Sequence, residues 1–297
     1  MTADGAGSGG GILYVVATPI GNLGDITLRA LETLRSVPLI AAEDTRHTHR
    51  LLARHGVVTR MTSYHARSGA GRAQALLEHL RGGADLALVT DAGTPAVSDP
   101  GGELIAAWTG EGGRVVPIPG ASAVLAAVAG TGVAGPRWAF EGFLPRTGRE
   151  RRERVARIAA DERGTVVFEA PTRVAATLRD LAEACGPDRP GAVCRELTKL
   201  HETIVRGPLG ELALAAASGA PAADGGIPAR GEFALVVGAW SGGARASADD
   251  EAAALRAATA EVEALVVAGV ARGDAARRVA TATGLPRRRL YGLDVPR

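Results

Sequence analysis

Aromatic residues are scarce in this chain of 297 residues, at 3%. Cysteine is nearly absent: Cys185 and Cys194 are the only two. They lack metal-ligand spacing, and no H-E-x-x-H or acidic triplet stands in for it, so metal chemistry finds no support. Both are read as free thiols of a reducing cytoplasm. No apolar run approaches the roughly 20 residues that span a bilayer. The small, glycine-rich residues 1–11 lack the apolar core of a secretory signal and are read as a flexible leader. Excess charge is missing too, with a formal net of +2. A chain coated by nucleic acid carries more, so any RNA contact must come from a local patch. Nucleophile elbows and a Walker loop are absent. Gly5, Gly7 and Gly10 match G-x-G-x-x-G in form, but they precede the first strand. A dinucleotide loop must follow a strand and open a helix, which excludes that use.

What is present is a full core, 46% apolar, and three Gly/Pro-rich loops. These are Thr18-Pro19-Ile20-Gly21-Asn22-Leu23-Gly24-Asp25, the run from Asp91-Ala92-Gly93-Thr94-Pro95 to Ser98-Asp99-Pro100-Gly101, and Pro119-Gly120-Ala121-Ser122-Ala123. Each follows a short apolar segment (residues 12–17, 86–90 and 114–118) read as a fully buried strand. Ligands of open parallel sheets bind beyond the carboxyl ends of the strands, so the three loops are expected to line one pocket. Asp91, at a strand end, is placed to accept hydrogen bonds from an amine or a ribose hydroxyl. Ser122 sits where a helix N-terminus offers free N–H groups.

The first half alternates strand and helix, which implies a parallel sheet with right-handed crossovers. Its helices are expected over 26–35, with Asp25 as N-cap, and over 71–81, 102–109 and 122–129. Residues 43–50 read as a polar segment after a strand over 38–42. Residues 130–136 look like a linker. A second αβ unit follows, with strands over 138–143, 165–169, 192–196, 203–206 and 232–237 and some antiparallel pairing near 192–206. Its helices are expected over 150–160, 174–184 and 209–217. Residues 241–249 read as a linker to a small helical tail at 250–297. The domain expectation is thus a first αβα domain at 12–130, a second at 137–240, and the tail.

Charged clusters at strand ends supply candidates for chemistry. Glu43, Asp44 or Glu202 could take a proton, and Arg46 or Lys199 could grip phosphate. The densest basic patch includes Arg146, Arg149, Arg151, Arg152, Arg154 and Arg157. It is an RNA-binding candidate, against the reading of a solvated helix face.

The order of these loops, together with Ala42-Glu43-Asp44-Thr45-Arg46, Phe140-Glu141-Gly142-Phe143-Leu144-Pro145, Phe168-Glu169-Ala170-Pro171-Thr172-Arg173, Arg195-Glu196-Leu197-Thr198-Lys199 and Gly231-Glu232-Phe233, resembles the bacterial ribosomal RNA small-subunit methyltransferase I family. That family lies within the tetrapyrrole-methylase-like superfamily. The resemblance covers about residues 12–240 and is looser in the tail. It implies two αβα domains of the class III methyltransferase type, with S-adenosylmethionine (SAM) as methyl donor and no metal. It implies as acceptor the 2′-hydroxyl of a cytidine in 16S ribosomal RNA of the small subunit, and a cytoplasmic homodimer. Carried over by position, Pro19, Asp91, Thr94, Ser122, Ala123, Ala170, Leu197 and Phe233 would hold SAM, with the Pro19 loop near the transferred methyl and the RNA. The alternatives are a sister methyltransferase acting on a tetrapyrrole or a protein histidine, and a non-catalytic ribosome-assembly factor.

Overall fold

The computed structural model describes residues 9–221, 224–239, 248–283, 285 and 287–290. Most of the expected leader, most of the 241–249 linker and the last seven residues lie outside the described residues. The chain divides into two compact units, 1–240 and 241–297.

The first sheet is wholly parallel. It is built from β1 (Ile12–Val16), β2 (Leu39–Ala42), β3 (Met61–Ser63), β4 (Leu86–Val89) and β5 (Arg114–Ile118) in the order β3-β2-β4-β1-β5. The crossovers run through α1 (Leu28–Ser36), α2 (Thr45–Arg54), α3 (Ala70–Arg81) and α4 (Gly102–Gly110). All four residues of β4 are buried, as expected of a central strand covered by helices on both faces. Leu34 and Leu52 pack on one face of the sheet, Leu80 and Trp108 on the other.

Several expectations are corrected here. β5 is an edge strand with β1 as its neighbour, so Arg114 and Pro117 are exposed rather than buried. Proline is tolerated there because an edge strand has a free N–H side. Asp25 does not cap the first helix. It ends a short 3₁₀ turn, and Thr27 is the N-cap, its hydroxyl accepting the Ala30 N–H at 3.1 Å. The polar segment after β2 is the helix α2, which buries Thr48, Leu51 and Leu52. The third strand, β3, had no counterpart in the sequence reading.

The second sheet is mixed. Its strands are β6 (Trp138–Phe143), β7 (Gly164–Glu169), β8 (Pro190–Arg195), β9 (Thr203–Pro208) and β10 (Phe233–Val237), in the order β6-β7-β10-β8-β9. β6 runs parallel to β7; β10 is antiparallel to β7 and β8, and β8 to β9. Its helices are α6 (Gly148–Ala160), α7 (Val174–Cys185) and α8 (Leu209–Ser218).

The helix α5 (Ala123–Thr131) follows β5 in the chain but is buried against the second sheet. Val124 and Ala127 pack on Val166, Ala192, Ala234 and Val236. The region read as a linker therefore begins inside a packed helix. This helix ties the strand ends of the first sheet to a face of the second, and so fixes the hollow between them.

The second unit contains α9 (Ala248–Val267), α10 (Arg272–Thr283) and α11 (Arg287–Leu290), held by a core of Ala258, Val262, Ala275, Ala276, Val279 and Leu290. Among the described residues, no helix is long and apolar enough to cross a membrane.

Candidate active site

The three Gly/Pro-rich loops emerge together at the carboxyl edge of the first sheet. The first and second are joined by an isolated antiparallel bridge. Thr18 N–H donates to the Gly93 carbonyl at 2.8 Å, and Gly93 N–H donates back to Thr18 at 3.0 Å. The Thr18 hydroxyl also donates to the Thr90 carbonyl at 3.0 Å. The second loop is strained: Ala96 (φ 68°) and Ser98 (φ 65°) are left-handed without being glycine. Such residues persist where the surroundings over-determine them, and they cluster at binding sites. Gly101 (φ 120°) has no room for a side chain, since a Cβ there would lie 2.7 Å from Leu88. The third loop ends at Ser122, whose hydroxyl accepts the Leu125 N–H at 3.4 Å and caps α5.

Opposite them stand the segment after β7, the turn after β8 and the entry to β10. Between the two sets lies a cleft of about 350 Å³. Thr94, Ser122, Ala123, Ala170, Leu197 and Phe233 all line it, as do Phe143 and Phe168, whose rings meet edge to face at 5.7 Å. Pro19 and Asp91 line an adjoining hollow of about 160 Å³ instead.

The charged side chains lining the larger cleft are carboxylates: Asp99, Glu169 and Glu232. No lysine, arginine or histidine is among its described lining residues. A largely apolar hollow favours a ligand that is apolar in bulk. Glu169 is paired with Arg173 and Glu232 with Lys199, so Asp99 is the wall carboxylate left to meet a positive charge. Free N–H groups in the first turn of α5 add a place for a carboxylate or an adenine edge. SAM carries a sulfonium, an ammonium, a carboxylate and an adenine, so the donor set fits it. Among the described residues, no group of three His, Cys, Asp or Glu side chains is arranged to hold a metal ion.

The Ala170 wall rests on a buried polar network. Glu169, with its side chain fully buried, accepts the Ala170 N–H at 2.8 Å, the Thr177 hydroxyl at 2.6 Å and Arg173 Nε at 3.2 Å. Arg151 donates to Thr177 Oγ1 at 2.9 Å, to Asp180 at 2.8 and 2.9 Å, and to the Pro145 carbonyl at 3.1 Å. Arg151 is therefore 8% exposed, and the expectation that it contacts RNA is corrected: its guanidinium is fully engaged inside the protein. Arg146, Arg149 and Arg152 are exposed, with Arg149 paired to Glu153 at 2.5 Å.

The candidate acid–base residues divide. Asp44 caps α2 and binds Arg46 at 2.7 Å, which holds its carboxyl well below the usual range. The two neutralise each other at the surface. Glu202 accepts the Thr198 N–H at 2.6 Å. Lys199 lies between Glu196 (3.0 Å) and Glu232 (3.1 Å) and packs against Gly21. Burial lowers its pKa, but the two carboxylates outweigh that and raise it. Glu43 lines neither hollow but stands behind Asp91: its carboxylate accepts the Asp91 N–H at 3.2 Å, while Asp91 accepts the Asp44 N–H at 3.0 Å.

Asp99 was missed as a site residue although its loop was singled out. Burial, then the charges of Glu43 and Asp91, push it up to about 6 from an ordinary 3.8. Glu43 is also raised, first by burial. A carboxyl that binds its proton more tightly when folded stabilises the fold at low pH. That contribution is complete below about 3.8 and is lost as pH rises through about 6. The variant Asp99→Asn should therefore flatten this part of the stability profile and be the more stable protein at pH 7. Urea unfolding from pH 4 to pH 7 checks this, and a profile identical to the unsubstituted protein's would contradict it.

The chain matches the family model for tetrapyrrole (corrin/porphyrin) methylases over residues 12–213. It is 46% identical over 285 residues to ribosomal RNA small subunit methyltransferase I of Synechocystis, covering 96% of this chain and 98% of that protein. The protein of the same name from Xylella fastidiosa is 40% identical over 282 residues, 95% of this chain and 98% of the relative. Among solved structures, cobalt precorrin-4 methyltransferase, a cobalamin biosynthetic enzyme, superposes with a TM-score of 0.58 at 20% identity, over 76% of this chain and 94% of that one. This last likeness carries the fold: two αβα layers of the tetrapyrrole methylase type. On the arrangement of its loops and on these relatives, the chain belongs to the ribosomal RNA small subunit methyltransferase I family and is a SAM-dependent methyltransferase.

Proposed function

We propose that this enzyme methylates the 2′-hydroxyl of a cytidine in 16S ribosomal RNA of the small subunit. The observation that carries the SAM half of the reading is the largely apolar cleft between the two sheets, lined by loops of both and with Asp99 in its wall. The names of the relatives, over nearly the whole chain, support the RNA half.

When bound, SAM supplies an electrophilic methyl group. Thr94, Ser122, Ala123, Ala170, Leu197 and Phe233 would hold it, with Asp91 and Pro19 at the border of the acceptor side. The work left to the chain is alignment and exclusion of water. A ribose hydroxyl is a weak nucleophile, so a carboxylate near it should accept its proton. Of the residues expected in that role, Glu43 is the one we assign, with Asp99 beside it. Asp44 is engaged by Arg46. Glu43 and Glu202 each accept one backbone N–H, but burial raises the Glu43 carboxyl above its ordinary range and its charge acts on Asp99 in the cleft wall. Arg146, Arg149 and Arg152 form the remaining RNA-facing basic patch of this reading, and Lys199 stays a candidate for phosphate. A homodimer in the cytoplasm belongs to the same reading.

Calorimetry with SAM, followed by transfer of labelled methyl to isolated small subunits and to naked RNA, tests it. Label in the ribosomal RNA of one of these is the expected result. SAM binding with label only in a tetrapyrrole or a protein would favour a sister activity. Subunit binding without SAM binding would mean an assembly factor.

A further inference from the structure

The hollow of about 160 Å³ that adjoins the cleft has features the cleft lacks. Pro19 and Leu23 of the first loop form one side, Asp91 the floor, and Thr48, His47 and Arg50 of α2 the other side and the mouth. It shares a wall with the cleft, the backbone bridge between Thr18 and Gly93.

Thr48 is 2% exposed, and its hydroxyl has no hydrogen-bond partner. Helical threonines ordinarily satisfy this group on a carbonyl of the preceding turn. A buried hydroxyl left unmatched in a hollow is costly and points to a polar partner that enters from outside. At the mouth, His47 and Arg50 are exposed, and no carboxylate pairs with Arg50 among the described residues. The hollow thus combines a buried polar contact, an acidic floor and a cationic rim. Its volume lies below the roughly 300 Å³ at which whole-ligand pockets begin. It suits one ring of a larger, anionic substrate, and it is too small for a tetrapyrrole.

We propose that this hollow takes the base ring of the RNA's acceptor nucleoside, the ribose staying outside toward the cleft, with the Thr48 hydroxyl bonded to a polar edge of that base and Arg50 and His47 meeting the flanking phosphates. The inference rests on the RNA substrate proposed above and adds the place where a single nucleoside is seated.

The test compares the unsubstituted protein with Thr48→Val, Thr48→Ser and Arg50→Gln. Each is measured for small-subunit binding, SAM binding and thermal unfolding. Valine keeps the shape and removes the hydroxyl. Thr48→Val should weaken small-subunit binding about five- to tenfold, one hydrogen bond's worth. Its SAM affinity should be unchanged and its unfolding temperature unchanged or higher, since an unmatched hydroxyl has gone. Thr48→Ser should retain binding. Arg50→Gln should lower the slope of log affinity against log salt by about one. Small-subunit binding by Thr48→Val equal to that of the unsubstituted protein would overturn the proposal, as would loss of SAM affinity in that variant. If the unsubstituted protein binds SAM but no small subunit, the RNA reading fails and this inference falls with it.

Discussion

Replacing Ala123 by leucine is expected to weaken SAM binding by about 10- to 100-fold while leaving the fold intact. Ala123 is the first residue of α5 and lines the cleft. Its neighbours Val124 and Ala127 anchor the helix in the second sheet. Leucine is a good helix former, so the helix should persist. The added side chain enters the cleft, and overfilling a packed site costs about 1–3 kcal/mol. Leu125, two residues on and 56% exposed, provides the control: Leu125→Ala should bind SAM normally. Calorimetry on the two variants decides the point. An Ala123→Leu protein that binds SAM as tightly as the parent would place the ligand elsewhere.

The second large effect concerns Arg151. Its replacement by methionine leaves Asp180 and Thr177 without their donor and loosens the support of Glu169, beneath the Ala170 wall. Breaking a fully buried pair costs about 3–5 kcal/mol. Asp180 keeps a third of its surface in water, so a loss of about 2–3 kcal/mol is expected here. The neighbouring exposed change Arg152→Met should stay within about 0.5 kcal/mol. Denaturant unfolding of both proteins checks the contrast. An Arg151→Met protein of full stability but reduced RNA affinity would restore Arg151 to the RNA-facing surface.

Much of the site was legible because it is written in local chemistry. Glycine and proline cluster after short apolar runs, and such runs in alternation with helices build a parallel sheet whose loops share an edge. The misses have physical causes. The sequence shows α2 only as a polar segment because Thr45-Arg46-His47-Thr48-His49-Arg50 is polar throughout. Its buried stripe, Thr48, Leu51 and Leu52, begins on a threonine rather than an aliphatic residue. Arg151 was grouped with its charged neighbours, yet Arg151, Val155 and Ile158 are the buried residues of α6, at i, i+4 and i+7. The burial of β5 depends on strand order, which periodicity does not carry. Asp99 owes its raised pKa first to burial and then to the charges of Glu43 and Asp91; burial follows from the packed fold, and Glu43 comes from a different strand end.

The central claim is that loops from two sheets enclose SAM and deliver its methyl group to a ribose oxygen of the small-subunit RNA. The most direct measurement is nucleoside analysis by mass spectrometry after the enzyme, SAM and small subunits have reacted and the RNA has been digested. The account predicts one new modified nucleoside, cytidine carrying the methyl on its 2′-oxygen, and less of it with Ala123→Leu at limiting SAM. A methyl group found on a base nitrogen or carbon, or no methylated nucleoside at all, would contradict it.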